Sequence, residues 1–182
     1  MASAHRTSAT PRAARADTGT ARVRVREAVP RDLDAVVTLR LALLREYPDH
    51  PIYGRLQPDV GDRARTLFAT QLRSTMEVIF LGTLDDAVVG VLRCVESIGS
   101  PLLDPARYAY VSSAYVRPEA RRRGVLRALL GAADRWSRAR GLNQMRLHNV
   151  LGSLAAETAW SKLGFSAVEQ VRVRELGREK AD

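Results

Sequence analysis

The chain of 182 residues carries a single cysteine, Cys94. No internal disulfide can form, so the fold must rest on a hydrophobic core, and the expected compartment is the reducing cytoplasm. The three histidines, His5, His50 and His148, lie far apart and share no ligand spacing with Cys94, so no metal centre is expected. No apolar run approaches the roughly 20 residues that cross a bilayer, and no membrane role is expected. Lysine is nearly missing: Lys162 and Lys180 are the only two, and arginine supplies the rest of a net charge of +9. Such a balance reads first as a compositional bias towards Ala, Arg, Leu and Val spread over solvated faces; the alternative is attraction of an anion, either nucleic acid or a phosphorylated small molecule. A nucleic-acid partner is not expected, because no recognised binding motif and no strand with interleaved aromatics is present. Also absent are G-x-x-x-x-G-K-[ST], a G-x-G-x-x-G after a strand, and G-x-S-x-G. Their absence argues against a P-loop, a dinucleotide site and a serine-hydrolase elbow.

What is present suits one globular core, since 46% of residues are hydrophobic. Residues 1–20 hold Ala, Ser, Thr and Arg without an apolar period and read as a disordered tail; residues 21–182 read as the domain. Strict alternation over 21–28, with Val23 and Val25 on one face, predicts a strand. Pro30 then opens a helix carrying Leu33, Val36, Val37, Leu41 and Leu44, which stops before Pro48. A loop spans 48–58, and a second helix is expected over 59–74 with Leu67, Phe68 and Leu72 buried. Strands at 77–83 and 87–96 form a hairpin about Asp85-Asp86. A strand at 107–116 precedes a helix at 124–140 that places Leu126, Leu129, Leu130, Ala133 and Trp136 on one face and ends at Gly141. A strand at 143–148, a helix at 153–163 and strand material at 166–175 complete the pattern. The order predicts an α/β fold: a mixed, mostly antiparallel central sheet of six or seven strands flanked by helices on both faces.

The chemistry concentrates at 110–130. A β-branched and aromatic strand ends at Val116, a Pro-containing turn follows, then Arg121, Arg122 and Arg123, then Gly124, then the amphipathic helix. A helix N-terminus presents unpaired N–H groups and partial positive charge. A glycine there lets a phosphate approach the backbone, and three guanidinium groups add full charge. The combination is suited to a pyrophosphate.

The segment from Val116 to Leu126 resembles the acetyl-CoA signature of the GNAT acetyltransferases, [RQ]-x-x-G-x-[GA], with Arg121 and Gly124 at the first and central positions and Leu126 at the last. A second segment, Ala156 to Phe165, is similar to the family's A-x-x-x-Y-x-K-L-G-F helix. Trp160 stands there in place of tyrosine, and Ser153 in place of an upstream asparagine. The resemblance covers about 21–176 in element order. It implies direct attack of an amine on the thioester of acetyl-CoA, the acyl donor, without a covalent enzyme intermediate. It also implies that backbone groups of Ala114 and Val116 hold the acetyl carbonyl and pantetheine, that N–H groups from Arg122 to Arg127 hold the pyrophosphate, and that Ser153 lies near the pantetheine. The general base is open among three candidates. Tyr110 stands eleven residues before Arg121, where some relatives carry glutamate. Glu96 on the third strand and His148 on the fifth are the others. The expected partner is a small-molecule or peptidyl amine, with a homodimer compatible. The 45–58 and 97–107 loops and the second helix should line its site, with Tyr47, Asp49, His50, Tyr53 and Arg55 as candidates. A GNAT-like module that binds acyl-CoA without turnover is the second reading, and a nucleic-acid binder the third.

Overall fold

The computed structural model describes residues 22–176. The expected tail at 1–20 lies outside the described residues. Five strands form one sheet in sequence order. They are β1 (Val23–Glu27), β2 (Glu77–Leu84), β3 (Ala87–Ile98), β4 (Arg107–Val116) and β5 (Met145–Leu147). The first three pairings are antiparallel and β4 pairs with β5 in parallel. A 3-10 turn at Pro30–Asp32 leads into α1 (Leu33–Arg45), which is followed by α2 (Val60–Gln71), α3 (Val125–Ala139) and α4 (Leu154–Lys162). Among the described residues no helix is long and apolar enough to cross a membrane.

The period-2 alternation of β2 decides what lies on each face. Val78 and Phe80 join Leu92, Cys94, Ala109 and Val111 beneath α3, against Val125, Leu129, Ala132 and Ala133. Ile79 and Leu81 join Val91 and Tyr115 on the opposite face, against Val36, Val37 and Leu39 of α1 and Phe68 of α2. β2 is therefore apolar on both sides, as a strand covered by two layers must be.

The hairpin between β2 and β3 turns on Asp85 and Asp86, both at positive φ, which a two-residue turn of the right-handed twist requires. Asp85 accepts the Arg22 N–H at 2.9 Å and Asp86 pairs with Arg24 at 3.0 Å, so the turn also ties down β1.

Three expectations change. The sheet has five strands among the described residues, and 166–175 is not a strand. Val171 and Val173 alternate as strand residues do, yet both stay exposed, and a strand exists only where a neighbour completes its hydrogen bonds. The fifth strand is three residues long, so His148 lies just past it. Leu67 is 53% exposed rather than buried. Ala64 and Phe68, four apart, define the face that α2 turns inward, and Leu67 stands beside it.

Two features carry the stability that positions the site. Gly82 and Gly90 are cross-strand partners, and α3 rests on both. A Cβ on Gly90 would meet Val125 Cγ1 at 3.0 Å, Leu129 Cδ1 at 3.1 Å and the Tyr115 carbonyl at 3.2 Å. Gly90→Ala should therefore lift the first turn of α3 and cost ~1–3 kcal/mol, seen as a fall in Tm of several degrees.

Asp32 is the second. Its carboxylate accepts from Arg26 Nη1 at 2.6 Å and Nη2 at 2.8 Å, and from the Val29 N–H at 2.9 Å. Chiefly through Arg26, its pKa falls from the ordinary 3.8 to about 2. A depressed carboxyl pKa contributes stability that is complete above the unfolded value and is lost as pH falls through the folded one. Asp32→Asn should lower Tm at neutral pH by an amount matching about 1 kcal/mol, since Arg26 is half solvated. The difference from wild type should vanish between about pH 4 and pH 2 in a thermal melt series.

Candidate active site

The sheet opens at one place. Ala109, Tyr110 and Val111 of β4 pair with Met145, Arg146 and Leu147 of β5, and the pairing stops there. The remainder of β4, Ser112 to Val116, has no strand on that side among the described residues. The same stretch is bulged: Val91 pairs with Tyr115 and Arg93 with Ser112, so Ser113 and Ala114 together oppose Leu92. Ser113 takes φ 53°, an uncommon value for a residue with a side chain. The bulge re-aims the backbone of Ala114 to Val116 just where the sheet lacks a partner.

The N-terminus of α3 sits beside this gap. Gly124 is its N-cap, at φ 85°, and no side chain caps the helix. The first backbone bond into the helix runs from Ala128 N–H to the Gly124 carbonyl at 3.0 Å. The N–H groups of Val125, Leu126 and Arg127 ahead of it are the orphan donors of a helix end. A Cβ on Gly124 would meet nothing within 4 Å, so the backbone at the N-cap itself is open. Arg122, itself at φ 61°, and Arg123 and Arg127 are exposed around the opening, and none makes an ion pair among the described residues. Leu126 packs against the core with its side chain, leaving its N–H to the open side.

Arg121 behaves differently from its neighbours. Its Nε donates to the Val116 carbonyl at 2.9 Å, and its Nη2 binds Glu46 at the end of α1. It also lies over the Tyr115 ring at 5.8 Å. The guanidinium is a clasp between α1, β4 and the α3 loop, whereas Arg122, Arg123 and Arg127 keep no ion-pair partner among the described residues. Ser153 is likewise committed in part: it is the N-cap of α4, and its Oγ accepts from Ala156 N–H at 3.4 Å. Between α3 and α4 lies a cleft of 440 Å³ lined by Arg127, Leu130, Gly131, Met145, Gly164 and Phe165. Trp160 packs edge-on against Phe165 at 5.5 Å and plays a packing role.

Two of the three candidate bases converge. Tyr110 and His148 meet: the phenol and the His148 Nδ1 are 3.1 Å apart, with the rings edge to face. Burial raises the Tyr110 pKa, so the phenol stays protonated at neutral pH. Glu96 belongs to the other face of the sheet. It follows Cys94 by two along β3, beneath α3, and its 7% exposed carboxylate pairs with Arg107 and with Arg140 at the end of α3. Two guanidinium groups thus engage it in structural pairings.

Of the acceptor-side candidates, His50 uses Nδ1 to accept the N–H groups of Ile52 and Tyr53 and stacks on the Tyr53 ring at 4.7 Å. It shapes the loop between α1 and α2. Arg55 pairs with Glu175 at 2.9 Å.

The fold that carries this site has counterparts among known proteins. The model of the acetyltransferase (GNAT) family matches residues 41–165. The chain belongs to the GNAT acetyltransferases. Aminoglycoside N(6')-acetyltransferase type 1 of Klebsiella aerogenes is 41% identical over 64 residues, which make up 35% of this chain and 42% of that protein. The chain thus matches less than half the length of this curated relative. A predicted acetyltransferase from Clostridium acetobutylicum, solved with acetyl-CoA, shares the fold with a TM-score of 0.68 at 16% identity, over 84% of this chain and 96% of that one. The aminoglycoside antibiotic 6'-N-acetyltransferase of Acinetobacter baumannii does so with a TM-score of 0.68 at 16% identity, over 85% and 98%.

Sequence reasoning about this GNAT chain missed Arg40 and Arg93, which face Tyr110 from α1 and β3. The signal was available. Arg40 falls four residues after Val36 and three after Val37, on the apolar stripe of α1, where a charge is out of place.

The anion site is testable with inorganic pyrophosphate alone. At a hundredfold excess over Kd it should stabilise the protein by about 2.7 kcal/mol in a low-salt thermal melt. Gly124→Ala should lower Tm through left-handed strain of ~1–2 kcal/mol and weaken the pyrophosphate response. An unchanged Tm with pyrophosphate would remove the assignment.

Proposed function

We propose that the protein transfers an acetyl group from acetyl-CoA to a primary amine by direct attack on the thioester. The observation that carries this reading is the junction of the unpaired β4 edge with the uncapped N-terminus of α3. The donors of Val125 to Arg127, with Arg122, Arg123 and Arg127 around them, fit a pyrophosphate. The 440 Å³ cleft between α3 and α4 leaves room beside it. The backbone of Ala114 and Val116 would pair with the pantetheine arm and polarise the carbonyl, with the Val116 N–H the free group, since Arg121 occupies its oxygen. Ser153 lies across the opening, at the start of α4. Acetyl-CoA, when bound, supplies an activated acyl group whose thiol leaves readily.

The chain's own task is then to hold the amine and remove its proton. An alkylammonium with a pKa near ~10 presents little free base at neutral pH. In this proposal Tyr110 and His148 act as a relay. The Tyr110 oxygen takes the proton from the amine as its own proton moves to His148 Nδ1. The high phenol pKa suits a group that passes a proton on and never persists as a phenolate. His148 is the net base, and Tyr110 is the contact to substrate. Glu96 has no part in it.

The direct test is a thermal shift with acetyl-CoA followed by thiol release over a panel of amines. Stabilisation together with turnover supports the reading. Stabilisation without turnover on any amine favours an acyl-CoA-binding module, and salt-sensitive nucleic-acid binding without any CoA response would sink both. For the relay, His148→Ala should lower kcat about 10²-fold, with KM for acetyl-CoA unchanged. Tyr110→Phe should do the same. An undiminished kcat in both variants would mean another base.

A further inference from the structure

The charge on the acceptor side of the sheet is unbalanced. Arg40 lies on the inward stripe of α1, between that helix and the face of β3 and β4 that carries Arg93, Ser112 and Tyr110. It is half-buried, and among the described residues it makes no ion pair and no side-chain hydrogen bond. Burial lowers its pKa, and the groups acting on it are Tyr53, Arg93 and Tyr110: two phenols and a second cation, with no carboxylate. The nearby carboxylate is already committed. Glu77 binds Arg93 Nε, and Arg93 Nη1 donates to Ser112 Oγ at 3.1 Å. Both members of that pair are largely shielded from solvent, with side chains 20% and 11% exposed. Glu77 therefore compensates Arg93 and leaves Arg40 alone.

A half-desolvated guanidinium with no partner is costly unless something arrives to pair with it. Its fork of donors matches a carboxylate in two-point geometry. It projects from α1, which packs on the face of β3 and β4 that also carries the Tyr110 phenol proposed to touch the amine. From this arrangement we infer that the acceptor carries a carboxylate on the same molecule as the amine, and that Arg40 binds it. The inference rests on the acetyl-transfer reading above and names its substrate class. It also separates this chain from its aminoglycoside-acetylating relatives at the level of charge. A polycationic acceptor would meet an uncompensated cation where it needs a carboxylate, and like charges at close range cost several kcal/mol. The same positive field favours the amine as free base over ammonium, which helps the proton leave.

The test uses the full-length protein with four probes: alanyl-alanine, alanyl-alanine amide, O-phosphoethanolamine and kanamycin. Each is titrated calorimetrically into protein loaded with CoA, and each is assayed for thiol release from acetyl-CoA. Alanyl-alanine should bind roughly 10- to 100-fold tighter than its amide, the loss expected for a charge-assisted bidentate contact. Arg40→Met should erase that difference by raising KM for the dipeptide, with KM for acetyl-CoA unchanged. Arg40→Lys should restore part of it, because it keeps the charge and loses the fork. Tighter binding of O-phosphoethanolamine than of the dipeptide would overturn the carboxylate assignment in favour of a phosphate. Equal binding of dipeptide and amide, or a preference for kanamycin, would overturn the inference altogether. Failure of acetyl-CoA to bind would instead sink the acetyl-transfer reading, and the dipeptide titration without CoA would still decide the role of Arg40.

Discussion

Helix α3 touches the sheet where two glycines face each other, and the site follows from that contact. Gly82 and Gly90 present no side chain, so Val125 and Leu129 sit almost on the backbone. A helix seated that closely cannot slide or tilt far without overlap, because protein interiors have no slack to absorb it. Its first turn is thereby held beside the bulged end of β4. Val125 does two things at once: its side chain fills the glycine patch and its N–H opens the row of free donors. The uncapped end of the helix is thus positioned by apolar packing.

The gap beside that helix is the second constraint, and it comes from a strand that stops. β5 pairs for three residues and the chain then leaves through the turn toward Ser153. The bulge at Ser113 and Ala114 turns the backbone where the pairing ends. Arg121 closes the other side, tying Val116 to Glu46 and so linking the end of α1 to the α3 loop. One run of three arginines is therefore split: the first is structural and the next two stand free. The acceptor face is organised in a similar way. Arg93 and Glu77 neutralise one another across β2 and β3, which leaves Arg40 as the uncompensated charge near Tyr110.

Much of this was legible beforehand because it is local. The alternation in β1, the Asp85-Asp86 turn, the Gly124 N-cap and the apolar faces of α1 and α3 depend on residues a few positions apart. Periodicity reads such features directly. The errors fall where the deciding partner is distant. Val171 and Val173 alternate like strand residues but find no strand to pair with among the described residues. Leu67 is apolar at a near-helical spacing but lies off the face that Ala64 and Phe68 turn inward. Glu96 and Tyr110 are near neighbours on paired strands, and only the parity of the pleat sends one beneath α3 and the other toward α1.

By itself the sequence determined the order of the elements, the uncapped glycine start of α3 and the concentration of arginines around it. Each of these is set by chain-neighbour chemistry. Tertiary structure alone decided which charges remain available. Arg121 is consumed by Glu46, 75 positions away, Glu96 by Arg140 at the end of α3, and Arg93 by Glu77 on the next strand. A salt bridge forms wherever opposite charges come within reach, whatever their separation along the chain. The inventory of free cations, and with it the character of the site, therefore exists only once the fold has paired the rest.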